Sequence, residues 1–287
     1  MGTCFSCIDK TLIHTVPQFH NEVKDRRTTL ISLQDQPHLL DLRLCDVSIM
    51  SSHNSYIRTL QHLGESSISA LQTVLNLGAR CVELDIYRDK TKPRVFVAHG
   101  KEETPDDIIT TTTLDLDVAL EYLSAKAFEH TNDPLFIALE LLVHNEPAAC
   151  DQIADFLDRH FRSRFFTGTL TGNTRLCELI GKVVLFSGGG AVGRLASMIH
   201  TQWSEVFQNV ASDTPASILN GMDTCIRVYP AGTLAGALSL NFDPVSYLEK
   251  GATFVALNMC TNDTHMKLYT ERFKTSSFVQ KPFVSHT

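Results

Sequence analysis

No stretch of this sequence approaches the ~18–20 consecutive apolar residues that a membrane-spanning helix needs. The N-terminus also lacks an apolar segment behind a basic one, which argues against an integral or secreted protein. Basic residues are in deficit, with 25 Lys and Arg against 32 Asp and Glu and a formal charge of −7. No global field therefore draws the chain to phosphate backbones or acidic lipid, and no nucleic-acid partner is expected. There is no low-complexity tract, no fixed-period repeat and no Pro/Gly/Ser linker long enough to mark a domain boundary. Cys4 and Cys7 form the sole C-x-x-C pair, without the second pair or histidine couple of a structural zinc site. The eight cysteines are read as reduced thiols, since nothing points to an oxidising compartment.

What is present is enough for a full core. With 43% hydrophobic residues over 287 positions, the chain can fold as one large domain or two small ones. Its opening, Met1-Gly2-Thr3-Cys4-Phe5-Ser6, fits the N-myristoylation pattern once Met1 is removed. Gly2 is then the expected myristoylation site, and Cys4 and Cys7 are candidate palmitoylation sites. One myristoyl chain binds a membrane only marginally and reversibly, and a second acyl chain makes the attachment stable.

Apolar runs alternate with amphipathic stretches, which reads as repeated strand–helix units. Strands are expected at 45–50, 80–86, 94–98, 135–140, 182–187, 226–229 and 253–258, and helices at 67–77, 116–128 and Pro147–Phe161. Seven or eight such units in about 250 residues is the size of an α/β (β/α) barrel, with a doubly wound open sheet as the alternative. The sharpest local signal is Cys81-Val82-Glu83-Leu84-Asp85-Ile86, where alternation puts Glu83 and Asp85 on one face and three aliphatics on the other. Neighbouring carboxylates repel, and a cation between them turns the repulsion into binding. Glu140 ends another apolar strand, and Arg227 and Tyr229 share a face of a third. His53-Asn54 and His99 each follow a strand. Catalytic groups in a barrel project from strand C-termini, and all of these residues sit where that rule places them. Singly, each has a plain alternative, such as a solvated loop histidine or a helix-capping glutamate.

Taken together, Ser51-Ser52-His53-Asn54-Ser55-Tyr56, Gly78-Ala79-Arg80-Cys81-Val82-Glu83-Leu84-Asp85, Val97-Ala98-His99-Gly100 and Ile137-Ala138-Leu139-Glu140 resemble, in this order, the X-box of eukaryotic-type phosphoinositide-specific phospholipase C. Arg227-Val228-Tyr229-Pro230-Ala231-Gly232-Thr233, Asn241-Phe242-Asp243-Pro244, Phe254-Val255-Ala256-Leu257-Asn258 and Val279-Gln280-Lys281-Pro282 resemble its Y-box. The match runs from about residue 47 to residue 282. The resemblance implies a distorted TIM barrel that binds one Ca²⁺ and cleaves the glycerol–phosphate bond of phosphatidylinositols. It implies that Asn54, Glu83, Asp85 and Glu140 are calcium ligands and that His53 and His99 flank the phosphate. A hard cation takes oxygen ligands, so three carboxylates and an amide carbonyl are chemically suited to it. Glu83 is then the base for the inositol 2-hydroxyl, a protonated His53 stabilises phosphoryl charge, and His99 protonates the departing oxygen. The products implied are diacylglycerol and an inositol cyclic phosphate.

Where relatives that prefer polyphosphorylated headgroups carry lysines, this chain has Phe186-Ser187-Gly188. That departure implies phosphatidylinositol or a lightly phosphorylated form as substrate, with Arg227 as the remaining headgroup cation and Tyr229 packing on the ring. Only residues 187–226 separate the two halves, and no regulatory module is expected. Residues 1–44 read as acylation signal and lead-in, and 45–287 as the catalytic barrel. Membrane delivery, to the cytoplasmic face as a peripheral lipid-anchored protein, falls to the acylated N-terminus. Two other readings compete. Gly188-Gly189-Gly190-Ala191-Val192-Gly193 after an apolar strand matches a dinucleotide fingerprint, but no second strand ending in an acidic residue follows at the required distance, so no nucleotide cofactor is expected. A non-catalytic phosphoinositide-binding protein on the same fold is opposed by the complete set of metal and proton-transfer residues.

Overall fold

Short strands whose side chains alternate between two buried faces favour a parallel sheet closed around its own interior and covered by helices. The computed structural model describes residues 23, 25–59, 64–100, 108–203, 205, 207–232 and 240–283. Its strands are β1 (Val47–Ser52), β2 (Cys81–Arg88), β3 (Val95–Val97), β4 (Leu114–Asp115), β5 (Leu135–Leu142), β6 (Val183–Ser187), β7 (Thr201–Gln202), β8 (Phe207–Ala211), β9 (Cys225–Tyr229), β10 (Phe254–Leu257) and β11 (Phe278–Gln280). Eight of them pair in parallel, in the order β7-β6-β5-β2-β1-β10-β9-β8, and curl into a nearly closed barrel whose seam lies between β7 and β8. The α/β barrel expected from the sequence is the fold observed, and the open doubly wound sheet is not.

The barrel interior is filled from below by Ile49, Cys81, Phe136, Val184, Phe186, Phe207 and Phe254. Phe254 is the hub, with ring centroids 5.2 Å from Phe136, 5.2 Å from Phe207 and 5.8 Å from Phe186. The opposite faces of the strands, including Val82, Leu84, Ile137, Leu139 and Val255, pack outward against Leu71 and Val74 of α1 (Ile68–Leu77), Leu120 and Leu123 of α2 (Leu116–Lys126), and Ile153 and Leu157 of α3 (Pro147–Phe161). Local sequence sets the ends of α1. Ser67 caps its N-terminus by accepting from the Ala70 N–H, and Gly78 ends it at φ 100°, where an added Cβ would lie 2.3 Å from Leu30.

Two expectations need correction. The first barrel strand starts at Val47, because Leu44–Asp46 is a 3₁₀ turn in which Asp46 accepts from the Arg43 backbone and guanidinium, withdrawing those residues from the sheet. The strand expected at 94–98 is not a barrel strand either. As β3 it runs antiparallel to β2, with Val97 opposite Ile86 and Val95 opposite Arg88, so the chain climbs past the barrel mouth and folds back down.

Candidate active site

The upper end of the barrel carries polar residues on the same inward positions that carry aromatics below. On β2, Cys81 faces in, and so by alternation do Glu83 and Asp85. Asp85 is the register partner of Glu140 on the parallel strand β5, which puts their carboxylates side by side. His53 and Asn54 follow β1, and the β2–β3 hairpin returns His99 to the level of Asp85. His99 thus reaches the mouth because a hairpin folds over it, not because it ends a barrel strand.

Hydrogen bonds fix most of these groups. Asn258, just past β10 (Phe254–Leu257), holds His53, with Oδ1 2.8 Å from Nδ1. That oxygen can only accept, so Nδ1 carries the hydrogen and Nε2 is directed towards Glu83, 3.9 Å from its Oε2. Asn258 is itself held by the Asn241 side chain, which accepts from its backbone N–H at 2.7 Å. Asn54 has φ 41°, donates from its backbone N–H to Glu83 Oε2 at 3.1 Å, and contacts His99 through its side-chain nitrogen at 3.3 Å. His99 Nδ1 lies 3.2 Å from Asp85 Oδ2, an aspartate–histidine pair that orients the ring. Tyr56 donates to Asn54 Oδ1 at 3.3 Å.

Charge is distributed unevenly over the three carboxylates. Burial would push Glu83 up, but the Arg227 guanidinium opposes it most strongly, then His53 and the Asn54 amide, and the carboxyl stays below its ordinary range. Asp85 is pushed well up, by burial and then by the charge of Glu83. Glu140 is pushed up to about 8; the charge of Asp85 is the main cause, as suits a residue that still meets solvent, with burial and Glu83 adding to it. Burial lowers both His53 and His99. The protonated His53 expected from the sequence is therefore not what the protein alone favours, because a buried imidazolium is poorly solvated.

Arg227, the headgroup cation expected from the resemblance, is buried in this structure. It is 1% exposed, forms an ion pair with Glu83 through Nη2, and donates from Nη1 to Asn209 Oδ1 at 3.0 Å. Its guanidinium carbon lies 4.1 Å from the Trp203 ring centroid and 5.4 Å from that of Tyr229. The expected lipidation sites Gly2, Cys4 and Cys7 lie outside the described residues.

Two family profiles account for this arrangement. The X domain of phosphatidylinositol-specific phospholipase C matches residues 40–187, and the Y domain of the same family matches residues 190–284. The chain belongs to the phosphatidylinositol-specific phospholipase C family. A relative named 1-phosphatidylinositol 4,5-bisphosphate phosphodiesterase delta-4, from Xenopus laevis, is 30% identical over 175 residues, covering 59% of this chain and 22% of the relative. Phosphoinositide phospholipase C 2 of Arabidopsis thaliana is 27% identical over 137 residues, covering 48% of this chain and 22% of its own length. The chain thus spans about a fifth of these phospholipase C relatives. Among solved structures, PLC21 of L. pealei superposes with a TM-score of 0.71 at 19% identity, covering 85% of this chain and 38% of that one. A calcium-dependent phosphoinositol-specific phospholipase C from Pseudomonas sp matches the fold over 90% of this chain and 99% of its own, with a TM-score of 0.52 at 12% identity.

The sequence reading missed Asn209, Trp203 and Asn258 as parts of this cluster at the barrel mouth. Asn258 was readable in principle, since it continues the inward face of Phe254 and Ala256. Trp203 and Asn209 lie on and beside the short seam strands β7 and β8, where no apolar run marks a strand.

Proposed function

We propose that the protein is a calcium-dependent phosphoinositide phospholipase C that cleaves phosphatidylinositol, or a lightly phosphorylated form of it, to diacylglycerol and an inositol cyclic phosphate. The observation that carries this reading is the convergence of His53, His99, Glu83, Asp85 and Glu140 at one barrel mouth in a chain with both domains of the family. Among the described residues no three His, Cys, Asp or Glu side chains stand ready to enclose an ion. The donor chemistry nevertheless fits a hard cation, because three crowded carboxylates and an amide carbonyl can all present oxygen, with Asp85 pushed up by burial and the charge of Glu83, and Glu140 pushed up by the charge of Asp85. Asn54, Glu83, Asp85 and Glu140 would hold the ion. Bound there, Ca²⁺ supplies Lewis acidity towards the inositol hydroxyl and the phosphoryl oxygens.

The chain's own groups do the rest. Glu83, kept ionised, takes the proton of the 2-hydroxyl as its oxygen bonds to phosphorus. His53, pinned by Asn258, presents Nε2 to a phosphoryl oxygen. His99, oriented by Asp85, gives a proton to the glycerol oxygen as the phosphorus–oxygen bond breaks. The negative charge of the phosphodiester offsets the burial that disfavours the imidazolium. Release of phosphorylated headgroup from phosphatidylinositol vesicles, with Ca²⁺ and with excess chelator, tests the reading; the account expects release only with the ion, and equal release under both conditions refutes it.

Two further predictions arise here. Without lysines after β6 (Val183–Ser187), phosphatidylinositol or its monophosphate should be turned over faster than the bisphosphate at matched surface concentration, since each charge-assisted bond contributes about 1.5–3 kcal/mol. Equal turnover would contradict this. The acylation reading places the protein on the cytoplasmic face of a membrane, anchored through Gly2, Cys4 and Cys7. Gly2→Ala should move it from the membrane to the soluble fraction, and unchanged partitioning would refute the anchor.

A further inference from the structure

Backbone pairing between β1 and β2 is confined to one register, Ser51 opposite Cys81. Beyond it β1 follows β10 to its end, where the His53 N–H donates to the Leu257 carbonyl at 2.9 Å, while β2 runs on through Glu83 and Asp85. A side chain takes over where the ladder between them stops. The Ser55 hydroxyl accepts from the Glu83 backbone N–H at 2.9 Å and donates to the Ser52 carbonyl at 3.3 Å, and the Ser55 N–H donates to the Glu83 carbonyl at 3.2 Å. A hydroxyl carries one donor and two acceptor sites, so it can hold both groups at once. Ser55 thus answers both backbone groups of Glu83 and closes the Ser52–Ser55 turn, which carries His53 and Asn54. The turn needs holding. Asn54 stands at φ 41°, a conformation that a residue with a Cβ keeps only when its surroundings fix it. The Asn54 N–H also donates to Glu83 Oε2 at 3.1 Å, so the turn fastened to the Glu83 backbone is the one that aims its carboxylate.

We propose that Ser55 is a positioning residue of this site: its hydroxyl fastens the turn bearing His53 and Asn54 to the backbone of Glu83, and so sets the spacing between the base and the histidine. The inference rests on the phospholipase reading above, in which these groups act on one phosphodiester. Ser55 acts through the groups it holds and not on the substrate. It is 1% exposed and Glu83 is 2% exposed, so water does not readily replace the bond if the hydroxyl is removed. The Glu83 N–H is then buried and unpaired, and the turn hangs from the Ser55 and Asn54 N–H groups alone. A misplacement of about 1 Å at a reacting centre can cost about 10²-fold in rate, so a loosened clip should be felt in turnover before it is felt in binding.

The same strand supplies the control. Ser48, near the start of β1, is also 1% exposed, and its hydroxyl donates to the Ala252 carbonyl at 2.8 Å. Ser55→Ala should lower kcat on phosphatidylinositol vesicles about 10–10²-fold with KM within about twofold. Ser55→Thr, which keeps the hydroxyl, should stay within about threefold of the wild type, and Ser48→Ala should lose denaturant midpoint with kcat unmoved. A second readout does not depend on turnover: amide hydrogen exchange at Glu83 should quicken about tenfold or more in Ser55→Ala and stay slow in Ser48→Ala. Faster exchange at Glu83 with unchanged kcat, or equal kcat losses in the two alanine variants, would overturn the proposal and leave the phospholipase reading standing. Unchanged exchange at Glu83 would remove the clip itself. A wild type without turnover fells that reading, and the proposal with it. Should Ser55→Ala fail to fold by circular dichroism, Ser55→Cys, whose thiol is a weak acceptor on a side chain of similar size, is judged by the same two measurements.

Discussion

Replacing His99 by alanine is expected to slow turnover of phosphatidylinositol about 10²–10⁴-fold, with little change in KM. The magnitude follows from its role. An alkoxide leaving group such as glycerol oxygen departs slowly unless protonated, and His99 is the mouth residue whose ring is fixed by a carboxylate, 3.2 Å from Asp85. The effect should depend on the leaving group. An inositol phosphodiester with an acidic phenol in place of diacylglycerol needs little proton transfer, so His99→Ala should lose much less on that substrate. Equal losses on both substrates would show that His99 positions the phosphate and does not donate the proton. The same comparison on Glu83→Gln should show no leaving-group rescue, because that change removes the base on the attacking side.

Phe254→Ala is expected to cost about 3–5 kcal/mol of stability, read as a shift of the denaturant midpoint. Phe254 is fully buried and meets three other rings in the barrel interior, Phe136, Phe186 and Phe207, which come from β5, β6 and β8. Removing the ring opens a cavity at the point where half the barrel converges, and rigid strands cannot collapse to fill it. Phe254→Leu retains most of the volume and should cost well under half as much. A loss below about 1 kcal/mol for the alanine variant would mean that the interior is not packed as described. Phe254 lies on the same inward face as Asn258 but two inward positions below it, with Ala256 between, so its loss tests the floor of the barrel and not its mouth.

The sequence disclosed the site unequally, for physical reasons. Glu83 and Asp85 were legible because β-strand alternation has a period of two and charges on one face of an otherwise aliphatic strand have few explanations. Asn54 and His53 were legible from their place just after a strand and from their motif. His99 is placed at the mouth by sequence on the premise that it ends a barrel strand; the hairpin that delivers it instead depends on antiparallel pairing, which the four-residue apolar run before it does not encode. The ion pair between Arg227 and Glu83 joins residues 144 apart in the chain, and no local pattern announces it. Strands β7 and β8 (Thr201–Gln202 and Phe207–Ala211) escaped notice because they flank the seam and mix exposed polar residues with apolar ones. What local rules could settle, they settled closely: the helix at Pro147–Phe161, opened by proline, and the stop of α1 at Gly78.

The most direct test of the whole account is the identity of the products. Phosphatidylinositol vesicles are incubated with the intact protein and Ca²⁺, and the lipid and aqueous phases are analysed by mass spectrometry. The account predicts diacylglycerol in the lipid phase and inositol cyclic phosphate in water, since the 2-hydroxyl of the substrate attacks its own phosphorus. Phosphatidic acid with free inositol, or no product at all, would contradict it.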